Sequence, residues 1–229
     1  MTLDGTMENI QVTLVGRQPG GALQGLRVPP PIDHLILLHS DDAESRSAAL
    51  KVKSIAEQML PEGGVEMVLI DPFGMTDVLA AITSIPRARP NARLTVNLSG
   101  GTNIMASAAL VACFMLGADA VYIKEDKGPG RRSLEERLIR LPVPRVSLRD
   151  LRRPQAKILE VLRKNASRKT EGAVTVVSKQ LGMTPQLASY HLKKLASWGL
   201  VEFEAVGRRK NVSLTDSGLL FASMLAESA

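Results

Sequence analysis

The first candidate for chemistry in this 229-residue chain is a set of backbone amides rather than side chains. The segment LTVNLSGGTNIMASAAL, residues 94–110, reads as a strand to Leu98, a turn at Ser99, Gly100 and Gly101, and a helix start at Thr102 and Asn103. Paired glycines let a ligand come close to the main chain, and a helix N-terminus presents unpaired N–H groups with partial positive charge. A junction of this kind at the carboxyl end of a sheet strand is where open α/β folds hold ligands, anions above all. The segment lacks the Gly-Lys-Ser/Thr of a P-loop and the GxGxxG of a dinucleotide fingerprint. A plain tight turn with a threonine cap would use the same residues, so taken alone the segment leaves both readings open.

A second candidate set is basic. In TPQLASYHLKKLASWG, residues 184–199, Thr184 suits an N-cap and Pro185 the first helical position. The spacing is expected to turn Leu187, Leu192 and Leu195 toward a core, leaving Gln186, Ser189, Tyr190, Lys193 and Lys194 on other faces. Glutamine and serine read base edges, and lysines meet phosphates. Arg208, Arg209 and Lys210 follow in a GRRK turn between two strand-like runs, where a wing would touch the DNA backbone or minor groove. Solvated charge on a small helical domain is the bland alternative. The coincidence of turn, capped helix, wing and concentrated charge favours double-stranded DNA.

Other chemistry finds little support. His34, His39 and His191 lack metal-ligand spacing, and His191 reads as a half-buried helix residue. The single cysteine, Cys113, lies in an apolar helix as a packing thiol and excludes a disulfide scaffold or Cys-rich zinc module. Trp198 reads as packing. The acid pairs Asp41-Asp42 and Glu125-Asp126 suit helix caps and turns, and no Ser/His/Asp or Cys/His arrangement is evident. No metal, no cofactor and no catalytic residue are expected.

These candidates need elements to position them. Apolar runs at 10–15, 34–40, 65–71, 94–100 and 120–124 suggest strands covered on both faces. Between them lie helical patterns: Asp41 and Asp42 cap a helix with Ala49, Val52, Ile55, Ala56 and Met59 inward. Asp71-Pro72 opens a second helix ending before Pro86, and Thr102 a third ending at Gly117. Repeated strand–helix–strand units imply an α/β, Rossmann-like, mostly parallel sheet. From Pro154 the pattern becomes three helices, a hairpin and a closing helix capped by Thr215, which describes an α+β winged helix-turn-helix. The expected organisation is a ligand-sensing domain over 1–145, a linker over 146–153 and a DNA-binding domain over 154–229.

Charge follows the same division. Residues 1–149 carry 16 basic and 16 acidic side chains, whereas residues 150–229 carry 13 basic and 7 acidic, the whole of the net +6. A neutral and a basic part suit different partners, and the basic one suits a polyanion. Aromatics at 3% disfavour base-stacking RNA surfaces. The polar first residues contain no signal-peptide core, and the apolar run from Ile104 to Ala118 is short for a bilayer span, so a soluble, cytoplasmic protein without a membrane partner is expected.

The run Asn97-Leu98-Ser99-Gly100-Gly101-Thr102-Asn103-Ile104-Met105, followed by a small-residue helix and a short strand, resembles the signature of CARF domains, the CRISPR-associated Rossmann-fold sensors. Residues 175–215, with SYHLKKLASWGLVE, resemble MarR- and ArsR-type winged helices. CARF domains with a C-terminal winged helix are familiar as CRISPR-associated transcription regulators, mostly archaeal. The resemblance implies a homodimer that binds a cyclic oligoadenylate, usually cyclic tetra-adenylate, across its two-fold axis. Carried over by motif, Ser99, Gly100, Gly101, Thr102 and Asn103 would form the main ligand loop. Gly16 and Arg17, after the first strand, and Ser40 and Asp41, after the second, would flank it. Many family members have lysine after the GGT, and some cleave their ligand; here Asn103 removes that cation and puts cleavage in doubt.

The leading expectation is thus a regulator that couples a cyclic oligoadenylate to promoter binding. The alternatives are a ring nuclease that degrades the cyclic oligonucleotide and a Rossmann-like regulator of an unrelated metabolite.

Overall fold

The computed structural model describes residues 7–125, 132–146, 150–165, 172–206 and 209–227. The chain divides into two compact units, Met1–Leu141 and Pro142–Ala229.

The first unit alternates β1 (Asn9–Val15), α1 (Gly20–Gly25), β2 (His34–His39), α2 (Ala43–Ala56), β3 (Val65–Leu69), α3 (Met75–Ala88), β4 (Arg93–Asn97), α4 (Asn103–Leu116), β5 (Asp119–Ile123), α5 (Leu134–Arg137) and β6 (Leu138–Leu141). The sheet order is β3-β2-β1-β4-β5-β6, with β6 antiparallel to β5 and every other pairing parallel. The chain order thus reverses between β1 and β4, which places a topological switch point beside the end of β4. The central strands bury both faces: β2 is buried from end to end and β1 at every position after Asn9. That is why they read as continuous apolar runs.

The helices depart from the expected patterns in instructive ways. Asp42, not Asp41, caps α2, accepting from the Glu44 and Ser45 amides at 3.1 Å each. The buried face of α2 consists of Ser45, Ala48, Ala49, Val52 and Ala56, whereas Ile55 is exposed and Met59 lies beyond the helix end. Small side chains take the core positions there because α2 packs against the β1–β3 strands. Helix α3 starts at Met75 and runs through Pro86. Proline withholds its own N–H, but the Arg89 amide still bonds the Ile85 carbonyl at 2.9 Å and closes the turn behind it. Two short helices, α1 and α5, were not expected; Ser133 and Glu136 cap α5 reciprocally.

The second unit comprises α6 (Arg153–Lys164), α7 (Ala173–Leu181), α8 (Pro185–Ser197), β7 (Val201–Val206), β8 (Arg209–Leu214) and α9 (Asp216–Glu227). Its core joins Ile158, Leu159 and Leu162 to Leu192, Leu195, Leu200 and Phe221. Val146 is buried in that core and Leu151 packs on it, although both lie in the stretch expected as a linker. The β7–β8 hairpin makes a winged-helix arrangement with the three helices before it and α9 after it. Among the described residues, no helix is long and apolar enough to cross a membrane.

Candidate functional site

The strand–turn–helix junction at 97–105 is built by side chains that bond inward and leave the main chain outward. Asn97, the last residue of β4, is fully buried; its Nδ2 donates to the Gly21 carbonyl at 3.2 Å and its Oδ1 accepts from the Ser99 amide at 3.0 Å. The Ser99 hydroxyl donates to the same Oδ1 at 2.5 Å and accepts from the Ile123 amide at 2.8 Å. Gly101 has φ +76°, a left-handed conformation that glycine adopts without cost. Thr102 caps α4: its Oγ1 accepts from the Met105 amide at 3.1 Å and donates to the Pro72 carbonyl at 2.6 Å. The Ser99 and Thr102 hydroxyls are therefore spent on shaping the loop. The amides of Asn103 and Ile104, in the first turn of α4, have no acceptor among the described residues, and the Asn103 side chain is exposed. An unpaired helix start of this kind can receive anionic oxygen.

The loop after β1 closes against this turn without side chains between them. A Cβ added at Gly16 would stand 2.8 Å from the Gly101 nitrogen, and one at Gly100 would strike the Leu14 carbonyl. Gly16 is thus brought onto the 99–103 loop. Its neighbour Arg17 is largely exposed and ion-paired with Asp42 at 3.6 Å and Glu44 at 3.3 Å. Ser40 is buried; its amide donates to Ser45 Oγ at 3.2 Å, and that hydroxyl donates to the Val15 carbonyl at 3.0 Å, tying the end of β2 to the end of β1. Asp41 is exposed at the same carboxyl edge. On the opposite flank the 99–103 loop forms one end of an open groove of about 390 Å³, walled by Ser107 and Leu110 of α4 and by Tyr122, Ile139 and Leu141 of β5 and β6.

The three histidines and the cysteine are buried. His34 has a lowered pKa, chiefly from burial and also from the Arg89 charge, with Glu66 opposing. Burial pushes the Cys113 thiol up to about 12, with the Asp119 charge adding to it. Among the described residues, no group of three or more His, Cys, Asp or Glu side chains could hold a metal ion.

In the second unit, Gly182 ends α7 at φ +63° and Thr184 caps α8, accepting from the Leu187 amide at 3.3 Å. Gln186, Tyr190 and Lys193 are exposed and Ser189 is half-buried. Leu187 is a correction: it is 45% exposed, and the buried face is Ala188, His191, Leu192 and Leu195. At 100° per residue, Ala188 stands one and two turns from Leu192 and Leu195 and excludes Leu187 from that stripe. His191 is more buried than expected; its Nδ1 lies 3.1 Å from Gln155 Nε2, and burial, with Lys194 adding, lowers its pKa. Lys194 is held over the Trp198 ring at 4.9 Å, a cation–π contact, while Trp198 itself packs on the core. The expected GRRK turn is shorter than four residues. Val206 pairs with Arg209, so Arg209 and Lys210 belong to β8, and Arg208 lies outside the described residues.

Comparison with known families now bears on both units. The family described as the Csa3 CRISPR-associated Rossmann-like domain matches residues 26–135, and the DUF6293 C-terminal winged helix domain matches residues 149–226. The chain joins a Csa3-type CARF domain to a winged helix domain. The CARF match begins after β1, so Gly16 and Arg17 lie outside it. Among solved structures, the chain is similar to Csm6 of Enterococcus italicus bound to cyclic hexa-2'-fluoro-hexa-dAMP, with 15% identity, 84% of this chain and 55% of that chain covered, and a TM-score of 0.48. It is also similar to Can2 from Sulfobacillus thermosulfidooxidans in complex with cyclic tetra-adenylate, with 21% identity, coverage of 50% and 31%, and a TM-score of 0.41. MepR, a transcription regulator of the Staphylococcus aureus multidrug efflux pump MepA, matches at 24% identity with coverage of 34% and 58% and a TM-score of 0.32. The chain spans less than two thirds of each of these three. No curated protein matches it.

Several residues of the CARF domain site were not singled out from the sequence. Asn97 opens the run that carries the CARF resemblance, but its part in organising the turn was not read from it, and Gly21, where a Cβ would come within 2.7 Å of Ser99 Cβ, lets α1 sit against that turn. An asparagine closing the otherwise apolar run LTVNL was the available signal, since a buried amide must be paired. Pro72 and the groove wall gave none, because both depend on which strands the fold makes neighbours.

Proposed function

We propose that the chain is a ligand-responsive transcription regulator whose CARF domain binds a cyclic oligoadenylate, cyclic tetra-adenylate foremost, and whose winged helix binds promoter DNA. The supporting observation is the loop at 99–103, where hydroxyls and the Asn97 amide are turned inward and the α4 amides are left for an anionic ligand. The match to the Csa3 CRISPR-associated Rossmann-like domain supports a cyclic oligonucleotide as that anion. Gly16 supports the loop from behind, Asn103 supplies a neutral hydrogen-bonding side chain, and Arg17, Ser40 and Asp41 flank the edge.

A homodimer accounts for an otherwise unfavourable surface. Helix α4 exposes Ile104, Leu110, Val111, Phe114 and Met115, an apolar face that begins at the ligand loop. A two-fold axis through that face would bury it against itself and bring both ligand loops to one side. Helix α9 likewise buries Phe221 and Ala222 in its own core and exposes Leu219, Leu220 and Met224. Ligand bound across two copies would bias the spacing of the two reading helices, which on duplex DNA is about one turn, ~34 Å.

The decisive measurement is calorimetric titration with cyclic tri-, tetra- and hexa-adenylate, repeated with promoter DNA present. Reciprocal changes in ligand and DNA affinity are expected, because coupling between two sites is symmetric. Substituting Lys193 together with Arg208 and Arg209 by alanine should weaken binding to every duplex and reduce its salt dependence, whereas Gln186→Ala should relax sequence preference. Tight binding of none of the three rings would refute the ligand class. Chromatography of the same mixtures would reveal linear products if the ligand were cleaved.

A further inference from the structure

One residue near the proposed ligand site is unaccounted for by packing. Phe73 is 74% exposed, the most exposed of the large hydrophobic side chains described, in a chain with only four phenylalanines, two tyrosines and one tryptophan. It lies in the connection between β3 and α3, just after Asp71-Pro72.

The topology places that connection over the site. Strand β3 is the sheet edge, and β2 and β1 separate it from β4. Thr102, beyond the end of β4, nevertheless donates to the Pro72 carbonyl, beyond the end of β3, at 2.6 Å. Strands lie about 4.8 Å apart, so the ends of β3 and β4 are roughly 14 Å apart, and the segments that follow the two strands close that gap between them. It is also firmly shaped. The Phe73 amide donates to Asp71 Oδ1 at 2.9 Å, and the Gly74 amide donates to the Asp71 carbonyl at 3.1 Å. A side chain at Gly74 would crowd Asp71, since a Cβ there would stand 3.0 Å from Asp71 Cβ. A phenyl ring is thus presented to solvent on a pinned turn, one residue from the carbonyl that holds the cap of the ligand loop.

We infer that Phe73 is a stacking platform for a purine base of the ligand and the residue that separates base-bearing ligands from other anions at this site; this rests on the oligoadenylate reading above. The loop amides recognise only anionic oxygen, which any phosphate supplies. Base discrimination needs a π-surface, and each stacked base is worth enough that its removal is measurable by alanine substitution.

The test uses the 229-residue chain and cyclic tetra-adenylate. Phe73→Ala and Phe73→Leu should each weaken binding roughly ten-fold or more, by the loss of one stacked base. Phe73→Tyr and Phe73→Trp should retain affinity, and the new tryptophan should show ligand-dependent quenching. All four should melt with the wild-type protein, because the exposed ring contributes little to the core. Equal affinity of Phe73→Leu and wild type, or an unquenched Trp at 73 with ligand bound, overturns the stacking role while leaving the ligand class intact. If the wild-type protein binds none of the rings, both fall together.

Discussion

Replacing Gly16 by alanine tests the joint on which the 99–103 loop rests. The added Cβ would stand 2.8 Å from the Gly101 nitrogen and 3.3 Å from the Gly101 Cα, whereas ordinary contacts begin at 3.4 Å. The first distance is therefore short by about 0.6 Å, and both opposing atoms are backbone. Relief by a small slide of the loop is blocked on two sides. Gly100 already abuts the Leu14 carbonyl, and Ser99 is bonded to both Asn97 and Ile123. Overpacking of this kind costs about 1–3 kcal/mol. In a unit of this size each kcal/mol shifts the melting temperature by a few degrees, so a fall of roughly 4–10 °C is expected. The assay is calorimetric melting of the full chain, following the transition of the CARF unit, together with titration by cyclic tetra-adenylate. Gly20→Ala is the matched control: nothing lies within 4 Å of its Cβ, and it should be neutral or slightly stabilising. If the Gly16→Ala protein melts within about 1 °C of the control and binds ligand as well, the loops are not in register as described.

Other expectations concern single side chains. Leu192→Ala should destabilise the winged helix by about 2–5 kcal/mol, whereas Leu187→Ala, on the exposed face, should stay within about 0.5 kcal/mol; denaturant melts compare them. His191 sits beside Gln155, Tyr190 and Lys194 with its pKa lowered, so it is neutral in the fold while the unfolded chain still takes a proton at the ordinary value. Stability of the second unit should therefore decline as pH falls through about 6.5, and His191→Gln should flatten that slope in melts taken between about pH 5 and pH 8. Cys113, buried and with its pKa pushed up to about 12, should resist thiol reagents in the native protein and react once denaturant opens α4. Rapid labelling without denaturant would show that α4 does not cover it.

The sequence was most legible where pattern and packing coincide. Runs such as HLILLHS announce strands covered on both faces, and Gly117 and Gly182 mark helix ends because their left-handed conformations suit no other residue as well. Legibility failed where small or polar side chains took core positions. Ala188 and His191 occupy the stripe on α8 that Leu187 would fill by hydropathy, and Ala48 does the same on α2. The Gly-rich α1 carries no helical periodicity at all. Within the site, SGGTN disclosed the turn, but the partners that shape it, Asn97, Gly21 and Pro72, meet only once the strands are ordered β3-β2-β1-β4.

The contact between Gly16 and the 99–103 loop has a practical corollary for mutagenesis. Where recognition groups are peptide N–H groups and their supports are glycines, an alanine scan reports on the wrong atoms. Truncating Asn103 leaves its amide in place, and truncating Ser99 or Thr102 perturbs the scaffold rather than the contact. A scan would therefore rank scaffold positions above contact positions and return a map inverted in meaning. Replacing the amide of Asn103 or Ile104 by an ester, which deletes one N–H and keeps the side chain, would interrogate the contact itself.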